Sequence, residues 1–141
     1  MFYNHFLVAT CGIMARHGSI GSSVNHYARW SDPHPLSLTD IEKLCKRKPR
    51  EQEILIAGML NKEHILDLLK NYVIYEVINN KKIKKIAKHQ QYRVVTKAVE
   101  KLESDKKEKK VTDKGCVIWH TQGSGKSLSM LWLATQLSRM I

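Results

Sequence analysis

The sequence predicts an α/β fold, and three observations predict it. Residues 115–131 read GCVIWHTQGSGKSLSML: a short apolar, β-rich run at Cys116–Trp119, a glycine-studded loop, then the start of an apolar-periodic helix. A second β-rich run, YVIYEVI, stands at 72–78, and helical spacing of apolar residues fills 51–72 and 90–101. Strand-like and helix-like periods therefore alternate along one chain of 141 residues, enough for one modest domain or pieces of two.

HFLVATCG (5–12) reads as a buried strand ending at Gly12, and IMARHGSIG (13–21) as a second strand flanked by glycine turns, together a hairpin. A strand so close to the first residue is expected to have further sheet partners upstream. ARWSDPHPLSL is a loop, since Pro33 and Pro35 interrupt any regular element. Ser37 or Thr39 can cap the helix carrying Ile41, Leu44 and Cys45. Ile54, Leu55, Met59, Ile65, Leu66, Leu68 and Leu69 predict two helices, or one interrupted at Gly58–Asn61. The strand at 72–78 ends in an Asn79-Asn80 turn. Val94, Val95, Ala98, Val99 and Leu102 line one side of a helix from about Gln90 to Lys101. ESDKKEKKVTDKG is charged, low-complexity chain, read as a solvated linker or loop.

The final stretch carries the chemistry. A run such as Cys116–Trp119 is the pattern of a strand buried on both faces. Gly123 and Gly125 allow positive φ and close approach of the backbone to a ligand. Successive N–H groups in such a loop form an anion nest, and the helix starting near Lys126 adds its positive dipole end. Leu128, Leu131, Trp132 and Gln136–Leu137 give that helix a spacing near 3.6. Lys126 would reach phosphates and the Ser127 hydroxyl would ligate Mg²⁺. His120 holds the first glycine position of the strict G-x-x-x-x-G-K-[ST] pattern, so only G-S-G-K-S matches. The plain alternative is a Gly/Ser turn before a lysine. The strand before and the helix after favour the phosphate loop.

The net charge is +11 and the pI about 9.7. That balance points to a polyanionic partner, unless it only reflects lysine-rich composition. KKIKK (81–85) could track a DNA backbone, or be a solvated lysine face beside a turn. Cys11, Cys45 and Cys116 have no C-x-x-C spacing, which argues against a disulfide framework or zinc site and for reduced thiols in the cytoplasm. No apolar run approaches 18 residues, and the start lacks the features of a signal peptide. His5, His17, His26, His34, His64 and His89 are scattered and read as surface or packing residues. Trp132 and Leu131 read as core packing.

VIWHTQGSGKSLSMLWLA resembles motif I of superfamily-two translocases and, more narrowly, that of the R (restriction) subunit of type I restriction–modification enzymes. KKIAKHQQYRVVTKAVEKL resembles the adenine-reading glutamine segment of the same family. HFLVATCGIMARHGSIGS…YARW resembles the segment after its nuclease core, and EQEILIAGMLNKEHILDLLKNYVIYEV the connection into its motor. The matches cover essentially the whole chain in one consistent order.

The resemblance implies the C-terminal part of an α/β nuclease domain with connecting helices (1–80), then the start of a partial P-loop, RecA-like motor lobe (81–141). It implies ATP and Mg²⁺ as cofactors, with Thr121, Gly123, Ser124, Gly125, Lys126 and Ser127 on the phosphates and Ser127 on the metal. Gln91 would read the adenine edge, since an amide can donate to N7 and accept from N6. Gln90 is the less favoured reader, because the aromatic Tyr92 should directly follow the reading residue. His120 sits where the family also departs from the strict glycine. Implied partners are double-stranded DNA and the methylation and specificity subunits, with no membrane. The activity implied is that of an ATP-dependent, DNA-translocating endonuclease subunit. No catalytic residue is assigned: the family's nuclease carboxylates are expected upstream of Met1, its Walker B acid and arginine finger downstream of Ile141. The chain is thus expected to be an incomplete slice, inactive alone. Alternatives are a non-catalytic nucleotide-binding or assembly remnant of a split gene, and another P-loop ATPase, which the W-H-T lead-in and distant glutamine segment disfavour.

Overall fold

The computed structural model describes residues 4–108, 117–119 and 121–140. Their contacts divide the chain into two units, one up to His89 and one from Gln90 onward.

The first unit begins with an antiparallel hairpin, β1 (Leu7–Thr10) and β2 (Ala15–Gly18), in the register Leu7↔Gly18 to Thr10↔Ala15. Gly12, at φ +83, turns the chain, and the Cys11 amide closes the turn on the Met14 carbonyl at 3.1 Å. The expectation of a buried first strand is corrected. Leu7 and Val8 are each 37% exposed, whereas Ala15 and His17 of β2 are buried. In this two-stranded ribbon β2 takes the core side. It bridges outward to Ala28, with His17 and Ala28 exchanging two 2.9 Å backbone hydrogen bonds. An apolar run cannot say which of two paired strands is covered.

Trp30 is the largest buried side chain among the described residues of this unit, and its indole N–H donates to the Asp32 carbonyl at 2.8 Å. Helix α1 (Leu38–Cys45) is capped by Ser37, whose hydroxyl accepts from the Asp40 amide at 3.1 Å while the Asp40 carboxylate accepts from the Ser37 amide at 3.2 Å. Ser37, of the two candidates, is therefore the cap. The Ser37 hydroxyl, donating to the Asp40 carboxylate at 2.6 Å, and then the Ser37 amide hold that carboxyl below its usual pKa. Helices α2 (Glu51–Gly58) and α3 (Lys62–Asn71) are separate, with the break at 59–61 and Asn61 capping α3 through the Glu63 amide. Gly58 is required by close approach: a Cβ there would collide with the Asp32 carbonyl and the Trp30 ring.

Strands β3 (Val73–Ile78) and β4 (Lys81–Ile86) form a second antiparallel hairpin. Asn79 and Asn80, at φ 49 and 59, supply the two positive-φ positions that a tight two-residue turn requires. The KKIKK segment is strand β4 and leads directly out of that turn. This hairpin joins residues on both sides of 80/81, and the contacts divide after His89.

The second unit holds α4 (His89–Glu108) and α5 (Lys126–Leu137). Among the described residues of this unit, Gln91, Tyr92, Val95, Ala98, Ser129 and Trp132 are buried. Leu131 is about half exposed, so of the expected Trp132–Leu131 face only Trp132 is core. The charged stretch expected to be linker is helical as far as Glu108, with Lys101 and Asp105 paired at 3.3 Å across one turn. The strand expected at 116–119 is not found: residues 117–119 carry no regular structure, and Val117 and Trp119 are over 90% exposed. Cys116 lies outside the described residues. A strand needs a neighbour for its backbone hydrogen bonds, and among the described residues of this unit there is none.

Candidate nucleotide-phosphate site

Residues 121–127 join the irregular segment to α5. The Ser124 amide bonds the Thr121 carbonyl at 3.3 Å, which folds the loop into a turn. Gly123 and Gly125 take φ +76 and +82, as their place in the motif predicts. Gly125 is also the N-cap of α5, and its carbonyl accepts the amides of Leu128 and Ser129 at 3.1 and 3.2 Å. It has no side chain with which to cap the helix. The amides of Lys126 and Ser127 therefore belong to the helix start, where backbone donors have no intrahelical acceptor. The first turn of α5 carries no acidic residue. Exposed amides, a dipole end, the Lys126 ammonium and an exposed Ser127 hydroxyl converge on one short segment.

These groups fit a polyphosphate with its Mg²⁺: donors and positive charge for the anion, one neutral oxygen for the metal. The Lys126 ammonium donates to the Thr121 carbonyl at 3.0 Å, so the lysine is folded back across the loop. His120 lies outside the described residues.

Gln91 enters from α4. It is 2% exposed, and its amide nitrogen donates at 3.2 Å to both the Ser124 and the Gly125 carbonyls. A Cβ on Gly125 would collide with that amide. Gly125 is thus fixed twice, by its φ and by the approach of Gln91. The family resemblance implies that Gln91 meets adenine; the structure brings it to the glycine loop. Here the amide hydrogens that an adenine N7 would accept are directed at loop carbonyls. Gln90 is half-buried and makes no such contact. The contact between Gln91 and the loop was not legible in the sequence, because nothing in the spacing of residues 91 and 125 reports proximity.

A mostly apolar cleft of about 180 Å³ is lined by Val94, Val95, Ser129, Met130 and Leu133, with Lys126 also on its wall. That is below the roughly 300 Å³ at which small-molecule pockets begin, so it offers an apolar wall rather than a whole nucleotide pocket.

The first unit, taken by itself, holds His17, one of the histidines that the sequence reads as surface or packing. His17 is 1% exposed, and burial pushes its pKa down to about 4; its Nε2 lies 3.4 Å from the Ala87 carbonyl. Trp30 stands edge-on to both His17 and His89. Glu51 accepts from the Ala15 amide at 3.1 Å and pairs with Arg16 and Arg29. Desolvation raises the Glu51 carboxyl, but that amide and the two guanidinium groups outweigh it and the net shift is downward. Among the described residues no His, Cys, Asp and Glu cluster could hold a metal, and no helix is long and apolar enough to cross a membrane.

Residues 90–141, the whole second unit, match the SWI2/SNF2 ATPase family. The endonuclease subunit of the type I restriction enzyme HindI from Haemophilus influenzae is 34% identical over 141 residues, covering 96% of this chain and 12% of the relative. Two proteins of Methanocaldococcus jannaschii are named as endonuclease subunits of type I restriction enzymes. MjaVIIIP is 34% identical over 94 residues, covering 66% of this chain and 9% of its own length. MjaIXP is 30% identical over 146 residues, covering 94% and 13%. The chain spans about an eighth or less of the length of these curated relatives. Over that span it belongs to the endonuclease (R) subunits of type I restriction enzymes, with sequence of the SWI2/SNF2 ATPase kind in its second unit.

Proposed function

We propose that this chain supplies the first ATP-binding elements of an ATP-dependent, DNA-translocating endonuclease subunit of a type I restriction–modification system. The carrying observation is the loop itself: two positive-φ glycines, Lys126 and the bare N-terminus of α5, within the residues that match an ATPase family. In this reading Thr121, Gly123, Ser124, Gly125 and Lys126 hold the phosphates of ATP. Ser127 is the protein's ligand to Mg²⁺, and Gln91 serves the adenine. ATP supplies a phosphoanhydride bond whose hydrolysis drives movement along DNA.

The chain's own residues bind and orient. Lys126 gives up the Thr121 carbonyl and sets its charge against phosphate, where it compensates negative charge. Gln91 couples the base end of the site to the loop through Ser124 and Gly125. Residues 1–80 are the end of the nuclease domain and its connecting helices. Partners are double-stranded DNA and the methylation and specificity subunits, and the assembly works in the cytoplasm.

The test uses the subunit that carries this segment, assembled with its methylation and specificity partners on duplex DNA. ATP hydrolysis is lost in Lys126→Ala. Undiminished turnover in that variant overturns the reading.

A further inference from the structure

The sequence holds two pentapeptides with four cations each, KRKPR at 46–50 and KKIKK at 81–85. They look equivalent in sequence, and the structure uses them differently. In KKIKK the Lys84 side chain is 6% exposed, its ammonium donates to the Asn4 carbonyl at 2.7 Å, and it stands 5.7 Å from the centre of the Tyr75 ring. Lys85 pairs with Glu76. Half of that strand's positive charge is committed to the fold.

The α1–α2 loop commits one cation of four. Arg47 donates to both oxygens of Glu53, the shorter bond 2.6 Å, and that carboxylate holds the guanidinium pKa up. Lys46, Lys48 and Arg50 are exposed and make no ion pair among the described residues. The nearby carboxylates are largely occupied elsewhere. Glu51 is taken by Arg16 and Arg29, Glu53 by Arg47 and the Arg50 amide at 2.6 Å, and Asp40 by Ser37. Glu42 is the exception. Residues 40–53 with Arg16 and Arg29 contain seven cations (Arg16, Arg29, Lys43, Lys46, Arg47, Lys48, Arg50) and four carboxylates (Asp40, Glu42, Glu51, Glu53), a net charge of +3.

The loop is also held in shape. Lys46 terminates α1 in the left-handed conformation, φ 54 and ψ 25, a position where glycine or asparagine is the usual choice. A lysine there puts a cation where sterics favour none. Pro49 fixes its own φ and keeps Lys48 out of the helical region. Arg50 is extended, at φ −96 and ψ 173, and anchored by Glu53. Three cations are thus presented from a braced loop, so little conformational freedom is lost when they are engaged.

We propose that the loop Lys46–Arg50 is a sequence-blind contact surface for the phosphate backbone of duplex DNA, with Lys46, Lys48 and Arg50 as the contacting groups. This rests on the DNA-acting reading above and names the surface. Exposed cations without partners neutralise phosphates and release condensed counterions, whatever the base sequence.

The experiment measures affinity of the 141-residue chain for duplex oligonucleotides of two unrelated sequences across a salt series. Three neutralised phosphates correspond to a slope of log affinity against log salt of about 0.9 each. The variant Lys46→Gln/Lys48→Gln/Arg50→Gln is expected to flatten that slope by about 2.7 and to weaken both sequences equally. Lys81→Gln/Lys82→Gln is expected to flatten it less. If the triple variant loses its circular dichroism, single Lys48→Gln is read instead, with an expected change of about 0.9. An unchanged slope, a larger effect at Lys81 and Lys82, or no salt-dependent binding by the parent chain overturns the proposal. So does a tenfold preference for single-stranded RNA. MgATP binding by the same triple variant is read separately: retained nucleotide binding with an unchanged salt slope overturns this surface alone, and lost nucleotide binding by the parent chain overturns the nucleotide reading alone.

Discussion

Replacing Gly125 by alanine tests how the phosphate loop is held. The residue sits at φ +82, where an L side chain costs about 1–2 kcal/mol. The added Cβ also collides with the Gln91 amide, which must withdraw from the Ser124 and Gly125 carbonyls. Two hydrogen bonds at about 0.5–1.5 kcal/mol each bring the whole to about 2–5 kcal/mol. The steric and hydrogen-bond parts depend on Gln91; the backbone part does not. In a Gln91→Ala background Gly125→Ala should therefore cost only the backbone part, about 1–2 kcal/mol. Urea unfolding of the parent, both single variants and the double variant, followed by circular dichroism, gives the coupling. A coupling of 1 kcal/mol or more, with the double variant more stable than the sum of the singles, is the expected result. Equal cost of Gly125→Ala in both backgrounds would refute the contact between Gln91 and the loop.

Other predictions address the base, the buried histidine and the isolated chain. Gln91→Ala should reduce discrimination of ATP over GTP in competition binding, while Gln90→Ala should not; a larger effect at Gln90 shifts the adenine reader by one residue. His17 is held neutral in the folded state, at about 4 against 6.5, so the unfolded chain binds the extra proton between those values. Stability is therefore full above pH 6.5 and falls toward pH 4, by up to about 3 kcal/mol at 1.36 kcal/mol per pH unit. His17→Phe should flatten that profile in denaturant titrations at pH 7 and 5, and an unchanged slope would contradict the buried neutral imidazole. The 141-residue chain should turn over ATP no faster than its Lys126→Ala variant. Val117 and Trp119 leave the entry to the loop unbraced, and Lys126 is folded onto Thr121. Turnover clearly above that control would show a complete catalytic site.

Much of the fold was legible because local chemistry decided it. Ser37 with Asp40, the Asn79-Asn80 turn and the positive-φ glycines at 123 and 125 are each read from side chains acting within a few residues. What stayed illegible depends on distant chain. Cys116–Trp119 has strand composition, yet residues 117–119 have no ladder to join, and composition cannot supply one. The exposure of β1 beside a buried β2, and the different uses of KRKPR and KKIKK, were set by tertiary neighbours such as Glu53, Glu76 and Tyr75. At the candidate site, the positive φ of Gly123 and Gly125 was legible, while the seat of Gln91 against Gly125 joins residues 34 apart and left no local trace.

The central claim, that residues 121–127 form a nucleotide-phosphate site, is most directly tested by nuclear magnetic resonance of the labelled 16.3 kDa chain. Titration with MgATP should move the amide resonances of Gly123, Gly125, Lys126 and Ser127, and the Gln91 side-chain amide with them. The same titration of Lys126→Ala should leave them in place. Shifts that persist undiminished in Lys126→Ala, or that fall wholly outside this loop in the parent chain, would contradict the account.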